Sequence, residues 1–428
     1  MLKIRWETDF KQTEIGEVPR EWKVDNINSY LSKIIDYRGK TPKKSAFGII
    51  TLSAKSIKNG KIDYSKVYFI SEETFKKWER RGKPKIGDVL LTTEGPLGEV
   101  AQLDRENIAI SQRLLVLRGK KELLDNTYLK YYLMSPIGQH ELLSRATGTA
   151  VEGIKQSEFR QLLLVLPSFE EQSRIATVLS WFDNLIENKK RQNEILEKTA
   201  MAIFKSWFVD FEPFKDEEFI YNNELDREIP KEWEVKNMGN VAYIESGNNA
   251  PQDESYFKNA KYPFVRVKHM ADGATIESCD YINAKAINDY KLKLFSEGSI
   301  IIQKSGESLK KARVNLLPFN ATVVNHIAIF DYKRNKNIRG YLFCWLKRIL
   351  KELIEAQRGT SLPYIKLQDI QDKPLLLSPP PILHRFHELV EPLFKKIITN
   401  QKEIMVLKKT RDALLPKLVF GKLRVVEL

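Results

Sequence analysis

The sequence predicts an α+β protein: two similar mixed α/β domains separated by two long antiparallel helices that form a coiled coil, related by an internal pseudo-twofold repeat. Three observations predict it. One segment recurs far along the chain, both copies carry short β-branched and aliphatic runs, and each copy ends in an unbroken helical stripe. The recurring segment is Pro19-Arg20-Glu21-Trp22-Lys23-Val24-Asp25-Asn26, which returns as Pro230-Lys231-Glu232-Trp233-Glu234-Val235-Lys236-Asn237, a separation of 211 positions from 22 to 233. The register persists. Gly87 corresponds to Gly298, Gly148-Thr149 and Ile154-Lys155 to Gly359-Thr360 and Ile365-Lys366, and Leu196-Glu197-Lys198-Thr199 to Leu407-Lys408-Lys409-Thr410. Such a period is that of a whole domain plus a helix, far longer than a solenoid or propeller repeat.

The elements follow in order. Residues 1–168 read as the first mixed domain, with strand-like runs at 47–52, 89–93 and 162–166 punctuated by Gly and Pro. At Ser168-Phe169-Glu170-Glu171 the texture changes to a capping box, Ser168 accepting from the backbone three residues on while Glu171 reaches back. The central helix, 169–212, carries its stripe on Ile175, Val178, Phe182, Leu185, Leu196, Ile203 and Trp207. Residues 213–378 form the second domain. Pro379-Pro380-Pro381 starts the distal helix, 379–428 with its tail, whose stripe is Leu389, Leu393, Ile397, Ile404, Leu407, Leu414 and Leu418, and Gly421 ends it. Polar residues in the middle of each stripe, Lys189 and Asn193 against Asn400 and Gln401, cost stability but fix register if they pair. A helix of about 35 to 40 residues spans roughly 50 to 60 Å, more than the roughly 34 Å of one duplex turn.

Composition narrows the function. The 428 residues carry a formal charge of +14 and a pI near 9.3, which favours a polyanionic partner, nucleic acid foremost. Apolar runs are strand-sized, and the N-terminus lacks a secretory signal, so the expected location is cytoplasmic. Cys279 and Cys344 are too far apart for a Cys-x-x-Cys site.

Catalytic motifs are not legible. Gly39-Lys40-Thr41 resembles the end of a phosphate loop, but Ile34 stands where the leading glycine is required. There is no Asn-Pro-Pro-Tyr or Asp-Pro-Pro-Tyr tetrapeptide, no nucleotide fingerprint after a strand and no His-Glu-x-x-His. His384 and His387 share a helical face without a third ligand. The chain reads as non-catalytic, with no metal and no cofactor of its own.

Leu196-Glu197-Lys198-Thr199-Ala200-Met201-Ala202-Ile203-Phe204-Lys205-Ser206-Trp207-Phe208-Val209-Asp210-Phe211-Glu212-Pro213 closely resembles the central region of the specificity subunit of type I restriction-modification systems. Gly153-Ile154-Lys155-Gln156-Ser157-Glu158-Phe159, Thr92-Thr93-Glu94-Gly95-Pro96-Leu97-Gly98 and Leu414-Leu415-Pro416-Lys417-Leu418-Val419-Phe420-Gly421-Lys422 resemble the same family, so the likeness covers essentially the whole chain. The resemblance implies two target-recognition domains, each reading one half of a bipartite double-stranded DNA site. It also implies helices that act as spacer and as dock for two methyltransferase (M) subunits, with restriction (R) subunits joining the complex. S-adenosylmethionine, ATP and Mg are then expected on those partners.

Family likeness lends few contact residues, so these are chosen by chemistry. Arg and Lys suit guanine edges, and Asn and Gln suit adenine. The loop candidates are Arg38, Lys40, Lys43, Lys44, Gln112 and Arg113 in the first domain, and Arg266, Lys268, His269, Gln303, Lys304, Lys311 and Asn325 in the second. Lys76, Lys77, Arg80 and Arg81 are predicted on one face of a short helix, opposite Phe75 and Trp78, as a phosphate-tracking surface, with Lys291 the counterpart of Arg80. Arg145, Thr149 and Lys155, with Arg358, Thr360 and Lys366, are placed on turns that hold phosphates. Two other readings stay open on residues alone: an enzyme, active as the purified chain, and a non-DNA scaffold, which would lack steep salt dependence of duplex binding.

Overall fold

The computed structural model describes residues 2–37, 41–148, 151–276, 278–332, 336–355 and 364–427. Its chain divides into two units, Met1–Asn184 with Lys409–Leu428, and Leu185–Lys408. Each unit is built round a strand that is apolar at successive positions, Val89–Thr93 in the first and Ile300–Gln303 in the second. An unbroken apolar run has no face to offer water, so both faces must be covered. Val89 and Leu91 join a core with Tyr128, Leu129 and Tyr132, whereas Leu90 joins another with Ile35, Leu52 and Ile110. Ile300 and Ile302 pack with Tyr341 and Leu342, and Ile301 with Phe264, Val323 and Ile329.

The sheets repeat accordingly. The order Leu97–Gln102, Val89–Thr93, Leu114–Gly119, Leu31–Asp36 recurs as Val314–Leu316, Ile300–Gln303, Ile327–Asp331, Tyr243–Ser246, all antiparallel. A smaller sheet of Ala109–Ile110, Ile49–Leu52 and Tyr68–Ile70 recurs as Thr322–Val323, Tyr262–Val265 and Asp280–Ile282, the first pair parallel in each. One local difference has a direct sequence cause. The first copy has two helices, Asn126–Met134 and Pro136–Ser144, where the second has one, Arg339–Glu355. Pro136 cannot donate to the preceding turn, so Ser135 becomes extended and its Oγ accepts from the Gly138 N–H at 3.2 Å to start a new helix.

The long helices are Phe169–Phe208 and Pro380–Val419. Ser168 caps the first by accepting from the Glu171 N–H at 3.3 Å. The reciprocal half of the expected capping box is absent, because the Glu171 carboxylate is taken by the Trp22 Nε1 at 3.2 Å and by Arg424 at 2.6 Å. Gly421 ends the distal helix in the left-handed region, φ 69°, where a Cβ would strike Pro19 at 2.3 Å. Within each unit the helix segments pack antiparallel. Asp183 meets Arg411 in the first; in the second Asn193 accepts from Asn400 Nδ2 at 2.9 Å, so one of the expected polar pairs forms, whereas Lys189 meets Glu403 and Gln401 accepts from the Ile276 N–H at 3.0 Å. Two leucines depart from the expected stripe: Leu185 and Leu389 are exposed, while Ile186, Phe204, Phe208 and Phe386 are buried, and Val390 and Phe394 are buried against Gly340 and Phe343 of the helix Arg339–Glu355.

The tail is also more than a helix end. Leu423–Glu427 pairs antiparallel with the N-terminal strand Leu2–Trp6. Arg424, a buried residue of the first-named of these strands, binds Glu7, Glu21 and Glu171 and lies over the Trp22 ring. Among the described residues no helix is long and apolar enough to cross a membrane.

Asp183 joins three elements of the first unit, accepting from Tyr131 Oη at 2.7 Å, Arg411 Nη1 at 2.6 Å and Lys130 Nζ at 3.2 Å. Burial alone would raise its carboxyl pKa, but Lys130, Tyr131 and Arg411 together hold it below the ordinary 3.8. A depressed carboxylate contributes stability that is present above the unfolded value and lost as pH falls through the folded one. Asp183→Asn leaves Lys130 and Arg411 without their part-buried partner and should cost about 3 kcal/mol at neutral pH. In denaturant titrations the gap from wild type should narrow below about pH 4.

Candidate nucleic-acid interface

Where the central strand runs out of apolar residues, three chain segments meet. In the first unit the Thr93 N–H donates to the Arg113 carbonyl at 2.9 Å, the Ile154 N–H donates to the Thr93 carbonyl at 2.9 Å, and Glu94 bridges to Gly153. In the second the Lys304 N–H donates to the His326 carbonyl at 3.0 Å, the Ile365 N–H to the Lys304 carbonyl at 2.8 Å, and Ser305 bridges to Tyr364. The backbone junction is the same; the side chains are not. Glu94 forms an ion pair with Arg113, both about half exposed, while Ser305 Oγ lies 2.7 Å from His326 Nδ1. Arg113 holds φ 73°, a left-handed conformation that costs a non-glycine residue about 1 kcal/mol or more and that sites of function tolerate.

A buried polar residue supports each junction from below. Thr92 Oγ1 accepts from the Glu99 N–H at 2.9 Å; its counterpart Gln303 donates to the Ser305 carbonyl and to Ser308 Oγ, both at 2.7 Å. Gln303 is thus consumed inside the fold and corrects the expectation that it reads a base. Lys304 is corrected likewise: it is buried, its Nζ donates to Ser246 Oγ at 2.7 Å, and it lies 5.5 Å from the Tyr364 ring centre.

The segment Arg266 to His269 forms a 3₁₀ turn gathered on one carboxylate. Asp280 lies 3.1 Å from Arg266 Nε, 3.1 Å from Lys268 Nζ and 3.3 Å from His269 Nε2. His269 is buried, and its Nδ1 accepts from the Arg266 N–H at 3.0 Å. Burial lowers its pKa against the opposing pull of Asp280, so the ring stays neutral and belongs to the scaffold, which removes it from the base readers. Lys268 stays exposed and Arg266 half-buried.

The expected basic helix is shorter than its spacing suggests. It runs Glu72–Trp78, and Arg80 and Arg81 fall in the 3₁₀ turn Glu79–Arg81, so the four cations do not share one helical face. All four are exposed; Lys77 pairs with Glu73 at 2.6 Å, and Arg81 donates to the Asp36 carbonyl at 2.6 Å. Lys43 and Lys44 are exposed, Lys44 lying 5.1 Å from the Tyr68 ring centre. Gln112 precedes Arg113, and its equivalent Asn325, which donates to Asn249 Oδ1 at 3.0 Å, precedes His326. Arg145 is half-buried, 3.8 Å from Glu141. Lys155 and Lys366 are exposed at the starts of the short helices Gln156–Phe159 and Leu367–Gln371, and Lys291 and Lys311 are exposed on turns. Arg38, Lys40, Thr149, Arg358 and Thr360 lie outside the described residues.

Glu94, Ser305, His326 and Tyr364 escaped sequence reasoning. The pair at 94 and 305 keeps the 211-residue spacing and was within reach of it. The pair at 113 and 326 is hidden by two extra residues, because Thr92↔Leu114 in the first sheet corresponds to Gln303↔Ile327 in the second. Among the described residues no group of three or more His, Cys, Asp or Glu is placed to hold a metal ion.

A duplicated α+β scaffold with polar junctions at equivalent strand ends, on a chain of formal charge +14, is the architecture and charge suited to a nucleic-acid-reading protein. The chain belongs to the type I restriction modification DNA specificity domain family, whose model matches residues 19–198 and again residues 230–409. It is 48% identical over 439 residues to the type I restriction enzyme MjaIX specificity subunit of Methanocaldococcus jannaschii, covering 100% of this chain and 99% of that one. It is 20% identical to the HindI specificity subunit of Haemophilus influenzae over 79% of this chain and 87% of that one. The crystal structure of a type I restriction-modification S subunit from M. genitalium shares the fold, with a TM-score of 0.55 at 18% identity, over 93% of this chain and 96% of that one.

If Lys76 and Arg80 track phosphates, the double variant Lys76→Ala/Arg80→Ala should weaken duplex binding by the assembled complex. The slope of log affinity against log salt should fall by up to roughly 2, with base preference unchanged. Fluorescence titrations at several salt concentrations would measure it; an unchanged slope removes these residues from the DNA contact.

Proposed function

We propose that this chain is the non-catalytic DNA-specificity subunit of a type I restriction-modification complex, each target-recognition domain reading one half of a bipartite site. In this reading residues 1–168 and 213–378 are the two reading domains, and residues 169–212 and 379–428 are the spacer helices with the tail. The helices set the spacing and dock two methyltransferase subunits, and restriction subunits complete the complex. S-adenosylmethionine, ATP and Mg belong to those partners, and the assembly works in the cytoplasm. The observation that carries the proposal is the double match to a DNA specificity family at the chain's own internal period, together with a full-length relative named a specificity subunit. The basic charge of +14 supports it, since phosphate neutralisation makes binding favourable and salt-dependent.

Exchanging residues 237–378 for those of a relative should alter the recognised bases in one half-site and leave the other intact, as read by mapping methylated adenines. Alteration of both halves would refute modular reading. Removing four residues from each long helix at matched positions shortens each by roughly 6 Å, about two base pairs of rise. The gap between methylated adenines should contract, and an unchanged gap would dismiss the helices as a ruler.

A further inference from the structure

The two copies offer a controlled comparison at one place. Three backbone hydrogen-bonded segments meet identically at the end of each central strand, yet the side chains they present differ in charge, size and hydrogen-bonding capacity. Elsewhere in the junction the differences are absorbed internally: Thr92 Oγ1 accepts from the Glu99 N–H of the paired strand, and Gln303 donates to the Ser305 carbonyl and Ser308 Oγ of the following turn. What remains outward is Glu94 with Arg113 in the first unit and Ser305 with His326 in the second. We infer that the pairs Glu94–Arg113 and Ser305–His326 are the base-discriminating contacts of the two half-sites. This rests on the DNA-reading function proposed above.

The chemistry assigns each pair a role. Arg113 carries a planar fork of donors that matches the O6 and N7 acceptors of guanine, and Glu94 holds it by its Nε while the side chain stays about half exposed. Glu94 is thus a positioning residue. At the second junction Ser305 Oγ engages His326 Nδ1, which leaves the exposed ring to present Nε2 as a single donor or acceptor. One point contact discriminates less than a fork. Gln112 and Asn325, each one residue before the pair, are placed to supply neighbouring contacts, and Lys155 and Lys366, one residue after the bridging segment, carry charge suited to phosphate.

Complexes assembled with their methyltransferase subunits and carrying E94S/R113H, or the reciprocal S305E/H326R, provide the test. Methylated adenines are mapped on random-sequence duplex, and duplex affinity is measured against salt. Each exchange should change the preferred base at one or two positions of its own half-site by roughly tenfold or more, leaving the other half-site and the gap as in wild type. Full methylation with both preferences unchanged overturns the inference. If the wild-type complex itself shows neither sequence-dependent methylation nor steep salt dependence, the DNA-reading function fails and the inference with it. Should an exchange abolish methylation, Arg113→Lys decides: it keeps the charge beside Glu94 and loses the fork. Relaxed preference at the first half-site then supports the assignment, and unrelaxed preference overturns it.

Discussion

Neither face of the central strand in either unit can meet water, and most of the architecture follows from covering both. With Val89, Leu90 and Leu91 all fully buried, one side must take helices and the other a second sheet. Ile300, Ile301 and Ile302 impose the same solution. The run must end somewhere, and it ends in polar residues whose backbone groups find partners in two other segments. The junction is therefore the first place along that strand where side chains become free to address something outside the fold.

The same constraint explains what the sequence disclosed. Helices of forty residues, the repeat and the sheet-forming runs were legible because period and burial coincide there. Finer assignments failed where two residues compete for one partner. Glu171 reads as half of a capping box, yet a buried guanidinium at Arg424 offers its carboxylate two charge-assisted bonds that a backbone N–H cannot match. Leu185 and Leu389 fit the helical stripe by spacing, but burial follows the neighbours a helix meets, and Ile186 and Val390 are the buried residues, Val390 against Gly340. The paired strands of the two termini were invisible because their partners are more than four hundred residues apart.

Polar candidates divided along a physical line. Residues chosen for donor chemistry alone, such as Gln303 and His269, turned out to satisfy the backbone of the turns they occupy, which is the usual fate of a buried amide or imidazole. Residues at the rim kept their exposure, and several of these hold a carboxylate partner: Arg113 with Glu94, Lys268 with Asp280, Lys77 with Glu73. An exposed ion pair contributes little stability, because water screens it and two side chains lose freedom. Its consequence lies elsewhere. A cation held in one orientation gives up less rotamer entropy on meeting a ligand than one that is disordered beforehand.

Duplication makes such an arrangement separable into parts with different tolerances. The hydrogen bonds that close the junction are backbone to backbone, so they do not depend on which side chains stand at 94, 113, 305 or 326. Changes at those four positions leave the three-segment closure in place, as the two copies demonstrate within one chain. Changes at Leu90 or Ile301 would not, since each fills a core on which the strand's position depends. A scaffold of this kind can alter what it presents without altering how it folds, provided the variation stays past the last buried residue of the central strand.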